Sequence, residues 1–408
     1  MALNSKNDET GDPDGLVENA KALDPLLRAE AAEGEELSRL TDATMDALWE
    51  AGMMGLWVPR LYGGAELWPV ASLETIEALS YADGSTGWVV MAAGVGTGTG
   101  AAYIPRSGAD ALFGDQITII SGHGAPRGQA HVEDGGFRLS GDWSYASGIR
   151  HSTYIHTGGI IYENGKPRID PNTGAPEFRV FVVPIEDATL KENWDVLGLR
   201  ATGSIDYSIK DAFVPADYTH IQRQRTANQG GNLYKLGIWG LGGIGHTGFA
   251  LGAGRRMLDE LAELARADDG RPMLLPVPGG GENFETLYGD AEARFRAARA
   301  LVFESWRAME ELLPEDGPIP TRALTLIRLS LVHVTAVAND IASLAFTYGG
   351  GGALREGPLQ RYIRDMMAGA LHATTGPLIL RQCAKDLMDM AEGKVWEVRS
   401  LEDPVAPN

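Results

Sequence analysis

A histidine surrounded by small residues lies near the C-terminal end of the sequence. His372 belongs to the run "RDMMAGALHATTGP", Arg364 to Pro377, where alanine, glycine and threonine predominate around it. An imidazole titrates near neutral pH, so this side chain can donate or accept a proton in catalysis. Small neighbours leave space beside the ring. Taken alone, the run fits a catalytic histidine in a cavity wall or a satisfied histidine inside a helical bundle.

Two other segments combine hydroxyl groups with glycines. In "LSGDWSYASGIRHS", Leu139 to Ser152, Ser147 precedes a glycine, a pair that is also common in ordinary turns. In "LGLRATGSIDYSIKDAFVPAD", Leu197 to Asp217, glycines permit tight turns beside Thr202 and Ser204. Their hydroxyls and backbone N–H groups can bind a polar ligand, or they can simply close a module of strands.

Structural roles also explain other residues of these segments. Trp143 can pack within a strand, and Arg200 can form a salt bridge. Four consecutive glycines, Gly349 to Gly352, can separate two helices. They are not a dinucleotide-binding fingerprint, because no strand precedes them.

The composition argues against several functions. The 35 basic and 55 acidic residues give a formal net charge of -20, which opposes binding to nucleic acid. The single cysteine, Cys383, cannot form an internal disulfide, so a reducing, cytoplasmic compartment is expected. No metal site is predicted, because the histidines lack ligand spacing, and neither a nucleophile elbow nor a P-loop is present.

Two stretches without charged residues approach the length of a membrane span. These are "GSTGWVVMAAGVGTGTGAAYI" from Gly84 and "LGIWGLGGIGHTGFALGAG" from Leu236. Glycine and threonine outnumber large apolar residues in both, and the second contains His246, so we expect buried helices with small-residue faces and no membrane association.

The hydrophobic periodicity changes twice along the chain. A disordered lead is expected at 1–15 and an N-terminal helical domain at 16–115. Short strand-like runs between turn signals predict a central β domain at 116–217. Helical periodicity then returns and predicts a C-terminal helical bundle at 218–408.

This order of domains and the motifs within it resemble the acyl-CoA dehydrogenase superfamily, over nearly the whole chain. The run "LWEAGMMGLWVPRLYGGAEL", Leu48 to Leu67, is similar to the N-terminal marker of that superfamily, and Leu197 to Asp217 is the most specific match. The sequence from Tyr145 to Gly148 resembles the flavin-dependent monooxygenase branch, since dehydrogenases have a Trp-Ile-Thr-Asn type of sequence there.

The resemblance also indicates that the catalytic base of the dehydrogenases is missing. Counting from the Arg-Asp pair, the expected glutamate corresponds to Ala373, and the alternative position of the base corresponds approximately to Gly242. Removing a proton next to a thioester requires a carboxylate within hydrogen-bond reach. The resemblance therefore favours the monooxygenase branch.

The implied fold is mostly α with a central β domain: an N-terminal helical domain, a β-barrel domain and a C-terminal four-helix bundle, assembled as a homotetramer. The implied activity is that of the oxygenase component of a two-component monooxygenase, which receives reduced flavin, FADH2 or FMNH2, from a separate NAD(P)H-dependent flavin reductase. Reaction with O2 through a C4a-hydroperoxide would hydroxylate an aromatic or heteroaromatic small molecule.

Three alternatives remain at this stage. A flavin-dependent N-oxygenase of an amine or amino sugar would keep the same flavin motifs. An acyl-CoA dehydrogenase or oxidase would need a base elsewhere, and a scaffold that binds flavin without chemistry would need none.

The resemblance assigns roles to individual residues. Ser147 would lie beside the flavin N5, and His372 would either hold the distal oxygen protonated or take a proton from a phenolic substrate. The residues expected to bind the cofactor are Trp143, Ser144, Ser147, Arg200, Thr202, Gly203, Ser204, Gly350 and Gly351. The residues expected to line the substrate pocket are Ser85, Trp88, Trp239, Phe249 and Met367.

Overall fold

The first part of the chain is helical. The computed structural model describes residues 13–171, 173–266 and 280–404. Because α1 begins at Pro13, the lead predicted at 1–15 is too long at its C-terminal end, and residues 1–12 lie outside the described residues. The first six helices are α1 (Pro13–Ala22), α2 (Asp24–Leu37), α3 (Asp42–Glu50), α4 (Pro69–Ala82), α5 (Gly84–Tyr103) and α6 (Arg106–Phe113).

Eight strands follow and form one sheet in the order β6-β7-β2-β1-β3-β5-β8, with β4 paired to β3. Only β1 and β3 pair in parallel among the described strands. The strands are β1 (Ile120–Glu133), β2 (Gly136–Trp143), β3 (Tyr154–Glu163), β4 (Lys166–Pro167), β5 (Phe178–Pro184), β6 (Ala188–Leu190), β7 (Tyr207–Pro215) and β8 (Thr219–Ile221).

The sheet curls around a core of its own. Phe137 on β2 lies 5.6 Å from Phe181 on β5, ring centroid to ring centroid, although β1 and β3 lie between those strands. The domain boundary predicted at 217 falls too early, because β8 pairs with β5 through Thr219 and the two residues after it.

The C-terminal part is a helical bundle with a short hairpin. Its elements are α7 (Gly237–Arg266), α8 (Gly280–Leu312), α9 (Thr321–Tyr348), α10 (Gly351–Leu354), α11 (Pro358–Gly369), α12 (Pro377–Leu387), β9 (Val395–Glu397) and β10 (Ser400–Glu402). Helix α9 is long and apolar enough to cross a membrane, but it packs against α7, α8, α11 and α12, as a central bundle helix does.

Glycines allow α5 and α4 to approach α7 closely. A Cβ atom at Gly245 would overlap Met91 on α5, and one at Gly252 would overlap the carbonyl oxygen of Glu77 on α4. Almost all of α5 is buried. The prediction that the two uncharged stretches form buried helices with small-residue faces is therefore confirmed.

Candidate active site

Three hydroxyl groups and an indole form a continuous hydrogen-bonded cluster between α5 and the β domain. The Trp88 Nε1–H donates to Ser147 Oγ over 3.1 Å, and Ser147 Oγ is also hydrogen bonded to Ser204 Oγ. The Ser204 hydroxyl lies 3.0 Å from Thr202 Oγ1. All four side chains are buried. The tertiary structure thus joins three segments in which the sequence predicted site residues.

Backbone hydrogen bonds bring the Ser147 loop and the Thr202 segment together. The N–H of Gly148 donates to the carbonyl of Thr202 over 2.9 Å, and the N–H of Ala146 donates to the carbonyl of Ile205 over 3.3 Å. Gly148 has a φ of 77°, which favours glycine and lets the chain turn directly after Ser147. The position of the Ser147 hydroxyl is therefore set by the backbone of two segments.

The Arg-Asp pair of α11 holds the same region from the bundle side. Asp365 Oδ1 accepts a hydrogen bond from the N–H of Leu199 over 2.5 Å, and Leu199 has a positive φ of 55°. A Cβ atom at Gly198 would overlap the carbonyl oxygen of Arg364. Helix α11 thus fixes the loop that leads into Thr202, and its Asp365 has a structural role.

Aromatic rings surround His372 on the bundle side of the cluster. The His372 ring centroid lies 6.1 Å from that of Trp88 and 3.9 Å from that of His246. The Trp88 ring also meets Phe249 edge-to-face at 5.0 Å. The indole that binds Ser147 therefore belongs to the same wall as His372, which connects the two predicted catalytic residues.

His372 lies in the turn after α11 and caps the short 3-10 helix Ala373–Thr375. Its Nδ1 lies 2.8 Å from Thr374 Oγ1 and accepts from the N–H of Thr374 over 3.4 Å. The ring is half-buried and has a fixed local partner.

The histidines of the site are neutral at pH 7. Burial, together with the imidazole of His123, lowers the pKa of His372 to about 4. Burial and the nearby His372 hold the pKa of His246 well below its ordinary value. Burial also lowers the pKa of His123, and the charge of Arg127 adds to that effect. Desolvation disfavours the charged imidazole in all three cases.

Sequence reasoning missed His246 and His123 as members of this site. His246 lies on α7 in the glycine-rich stretch, and this setting of small residues, which resembles that of His372, was the available signal. His123 lies on β1 just before the register shift that precedes Pro126, a β-bulge of the kind that redirects side chains. No local pattern indicated that its ring lies near His372.

Two predicted cofactor residues have structural partners. Trp143 is almost fully buried in the β domain, stacks on Tyr207 at 5.4 Å, and donates from Nε1 to the carbonyl of Gly158. Its ring faces the core of the β domain, so its packing role is observed and its contact with the cofactor stays a prediction. Arg200 lies at the surface, 3.8 Å from Asp195, so the salt bridge considered from the sequence is present.

The remaining predicted site residues lie in different parts of the structure. Phe249 lies in the aromatic wall, and Met367 is partly buried against the same core. Trp239 lines a small cavity beside Arg225 and the C-terminal hairpin, and its place in the substrate pocket stays a prediction. Ser144 is half-buried directly after β2.

The glycine turn contacts α9 and α11 and does not join the Ser147 cluster within the described chain. Gly350 has a φ of 53° and a ψ of -129°, and Gly351 is exposed. Binding of the nucleotide part of the cofactor by Gly350 and Gly351 stays a prediction.

The positions where a dehydrogenase carries its base lack a carboxylate, as the sequence indicated. Ala373 is exposed, and a Cβ atom added at Gly242 would meet nothing within 4 Å.

Several buried polar side-chain atoms on β1 and α5, the elements that carry Ser121 and Trp88, have no partner among the described residues. They include Ser121 Oγ, His123 Nδ1 and Ser85 Oγ. A Cβ atom at Gly148 would lie 3.3 Å from Ser121 Oγ, so this hydroxyl faces the Ser147 loop. Ser121 and His123 are two residues apart on a strand and point to the same face. These groups fit a flavin ring, whose edge carries nitrogen and carbonyl groups.

Sequence patterns of two protein families match the chain. The pattern described as acyl-CoA dehydrogenase, N-terminal domain matches residues 20–112, and the pattern described as acyl-CoA dehydrogenase, C-terminal domain matches residues 244–377. The second match includes His246 and His372.

Relatives of known function match over almost their whole length. The chain is 30% identical over 377 residues to the indole-3-acetate monooxygenase of Pseudomonas putida. The alignment covers 89% of this chain and 92% of that protein. It is 29% identical over 376 residues to HsaA of Rhodococcus jostii, the oxygenase subunit of a flavin-dependent monooxygenase. This alignment covers 88% of this chain and 94% of HsaA. XiaF from Streptomyces sp., solved with FADH2 and glycerol, has a TM-score of 0.83 at 25% identity and covers 97% of each chain.

These matches confirm the predicted fold class, the monooxygenase activity and the use of reduced flavin. The chain is the oxygenase component of a flavin-dependent monooxygenase, which implies a separate flavin reductase as its partner. It belongs to the acyl-CoA dehydrogenase superfamily and, within it, to the branch of flavin-dependent monooxygenases.

Proposed function

We propose that this oxygenase hydroxylates a small aromatic or heteroaromatic molecule, such as a phenol or an indole, beside His372 and Ser147. The observation that carries the proposal is the position of Trp88. Its indole N–H binds Ser147 Oγ, while its ring belongs to the wall around His372. A planar substrate next to that wall would be close to both predicted catalytic residues.

The aromatic wall supports a planar, largely apolar substrate. Trp88 meets His246 and Phe249 edge-to-face, each at 5.0 Å between ring centroids. Aromatic rings prefer such edge-to-face and offset contacts with one another. Because the histidines here are neutral, the wall carries no positive charge at pH 7 with which to hold an anionic substrate.

Four side chains of the site have defined tasks in the proposed reaction. When bound, reduced flavin supplies the electrons that activate O2 and delivers one oxygen atom to the substrate. Ser147 offers a hydroxyl at the flavin edge, and Ser121 and His123 offer further hydrogen-bonding atoms. His372 holds a hydrogen bond at the reacting centre, and the burial of the cluster limits the access of water.

An amine substrate receives less support. A cationic amine is held best by a carboxylate. Of the carboxylates near this region, Asp365 binds the N–H of Leu199, and Asp83 caps α5 by accepting from the N–H and the hydroxyl of Thr86. Both side chains are buried and serve the fold.

The test combines the purified chain with a flavin reductase, NADH, flavin and ¹⁸O2, and screens phenols and indoles by mass spectrometry. We expect one labelled oxygen atom in an aromatic product. In His372→Ala, flavin binding should be retained while product formation falls about 10²-fold, the lower end of the usual contribution of a proton-transferring side chain.

The control reaction offers acyl-CoA thioesters with an artificial electron acceptor. Reduction of the acceptor that depends on the thioester would contradict the proposal, as would labelled product from amines alone. Unchanged hydroxylation by His372→Ala would remove His372 from the mechanism.

Assembly as a homotetramer in the cytoplasm completes the proposal. Several large apolar side chains between 371 and 390 are exposed in the single chain, and a subunit interface would cover such side chains. They are Leu371, Leu378, Leu380, Leu387, Met388 and Met390. Light scattering should give four times the chain mass of 43.7 kDa, and a monomer at micromolar concentration would contradict it.

A further inference from the structure

Both hydrogen-bond donors of Thr374 converge on one nitrogen of His372. The backbone N–H of Thr374 donates to Nδ1 over 3.4 Å, and its hydroxyl oxygen lies 2.8 Å from the same atom. Neither group meets another hydrogen-bonding atom among the described residues. Thr374 is itself buried, so neither donor is freely hydrated.

This convergence distinguishes the two neutral tautomers of the imidazole. In a neutral ring, one nitrogen carries hydrogen and the other accepts. If Nδ1 carried the hydrogen, the backbone N–H of Thr374 would point at another donor and would lose its acceptor, which is unfavourable in a buried setting. If Nδ1 is the acceptor, both groups of Thr374 can donate to it. The arrangement therefore favours the hydrogen on Nε2.

The surroundings of the ring keep it neutral and hold its plane. Burial and the imidazole of His123 oppose a second proton on His372. His372 in turn opposes a second proton on His246. Arg364, on the preceding helix, pairs with Glu35, and Asp365 binds Leu199, so neither directs an unpaired charge at the ring. The rings of His246 and Trp88 both pack against the imidazole.

We propose that Thr374 is a positioning residue that holds His372 as its Nε2–H tautomer, so that His372 acts at the reacting centre as a hydrogen-bond donor and not as a base. This inference rests on the proposed function for the identity of the reacting centre. It decides between the two roles that the sequence left open, because a nitrogen that already carries hydrogen cannot take the proton of a phenol. The N–H is suited to stabilising developing negative charge on oxygen.

The first experiment reads the tautomer without turnover. Long-range ¹H–¹⁵N spectra of the full chain at pH 7 distinguish Nε2–H from Nδ1–H, and His372→Gln identifies the signal. We expect Nε2–H in the wild type, a mixture of tautomers in Thr374→Val, and Nε2–H again in Thr374→Ser. The matched control is Thr375→Val, because Thr375 Oγ1 binds the carbonyls of Ala370 and His372 and not the ring.

An Nδ1–H signal in the wild type would overturn the inference, as would an unchanged tautomer in Thr374→Val. Because the NMR measurement needs neither flavin nor substrate, its outcome does not depend on whether the proposed function is correct.

The second experiment measures product formed per flavin oxidised, from pH 6 to 9. Thr374→Val should reduce this ratio about tenfold, and Thr374→Ser should restore it. The amide of His372→Gln can donate a hydrogen bond but cannot act as a base, so this variant should retain clearly more product than His372→Ala. Equal loss in the glutamine and alanine variants would show that a base is required and would contradict the inference. If His372→Ala itself keeps full activity, the place of His372 at the reacting centre, on which this inference rests, fails instead.

Discussion

The imidazole rings of His246 and His372 lie 3.9 Å apart between centroids and are inclined by 31°. One ring comes from the long helix α7, and the other comes from the turn after α11. Two imidazoles at this distance cannot both be positively charged at neutral pH, because the like charges would repel each other in a buried setting. The contact therefore couples the bundle to the protonation state of the proposed catalytic histidine.

His246→Phe should preserve this stacking, whereas His246→Ala should remove it. We expect the phenylalanine variant to keep most of the product formed per flavin oxidised and the alanine variant to lose several-fold. Loss of a buried ring also leaves a cavity, so the alanine variant should be destabilised by roughly 3 kcal/mol. Urea unfolding and product analysis measure the two effects separately. If His246→Ala formed as much product per flavin oxidised as the wild type, a role for the stacked ring would be contradicted.

His123→Asn should raise the pKa of His372 above about 4. Burial is the larger cause of the low pKa and remains, but removal of a neighbouring imidazole takes away a like charge that opposes protonation. Histidine NMR titration of the full chain measures the shift. His131→Asn is the matched control, because His131 lies on the same strand but contacts Tyr162 at the surface. A pKa of His372 that does not change in His123→Asn would contradict the placement of that ring.

Asp365→Asn should change the pH dependence of stability. Burial, followed by the charge of Asp83, raises the pKa of the Asp365 carboxyl to about 8. In the unfolded chain it is about 3.9, so between these values the unfolded chain has released a proton that the folded chain retains. The free energy of unfolding of the wild type should therefore fall as the pH rises from 4 to 8, by up to about 1.4 kcal/mol per pH unit from this group.

The asparagine variant lacks this titration but keeps an oxygen that can accept from the N–H of Leu199. Its stability relative to the wild type should increase from pH 4 to 8 and stay level above pH 8. Urea unfolding at pH 5, 7 and 9 measures this difference. A variant that is destabilised equally at all three pH values would show that the carboxyl is charged in the folded chain.

Gly245→Ala should destabilise the contact between α5 and α7. The added Cβ would overlap Met91 near the base of its side chain, where the methionine cannot move away freely. Overpacking of this kind costs about 1–3 kcal/mol. Gly242→Ala is the control on the same helix, because a Cβ there meets nothing within 4 Å and improves helix propensity by about 1 kcal/mol. Thermal unfolding should move in opposite directions for the two variants, and parallel shifts would contradict the packing argument.

Local motifs were sufficient to predict the family, the reduced flavin and part of the site. Ser147, Thr202 and Ser204 lie in glycine-containing segments that local motifs identified, and Thr202 meets Ser204 within one such segment. The contact of Ser147 with Ser204 joins residues of two different segments and depends on the tertiary structure. The absence of a carboxylate at Ala373 and Gly242 depends only on residue identity.

The tertiary structure decided which rings surround His372 and which predicted residues lie elsewhere. His246 precedes His372 by more than a hundred residues, and His123 belongs to another domain, so neither contact produces a periodic or local signal. Trp143 was drawn into the β core because an indole of that size gains more from burial between strands, where Nε1 finds a carbonyl, than from an exposed position. The sequence by itself determined the chemistry that the chain can support. The packing of distant helices and strands determined which atoms can take part, because side-chain contacts form only when the whole chain has folded.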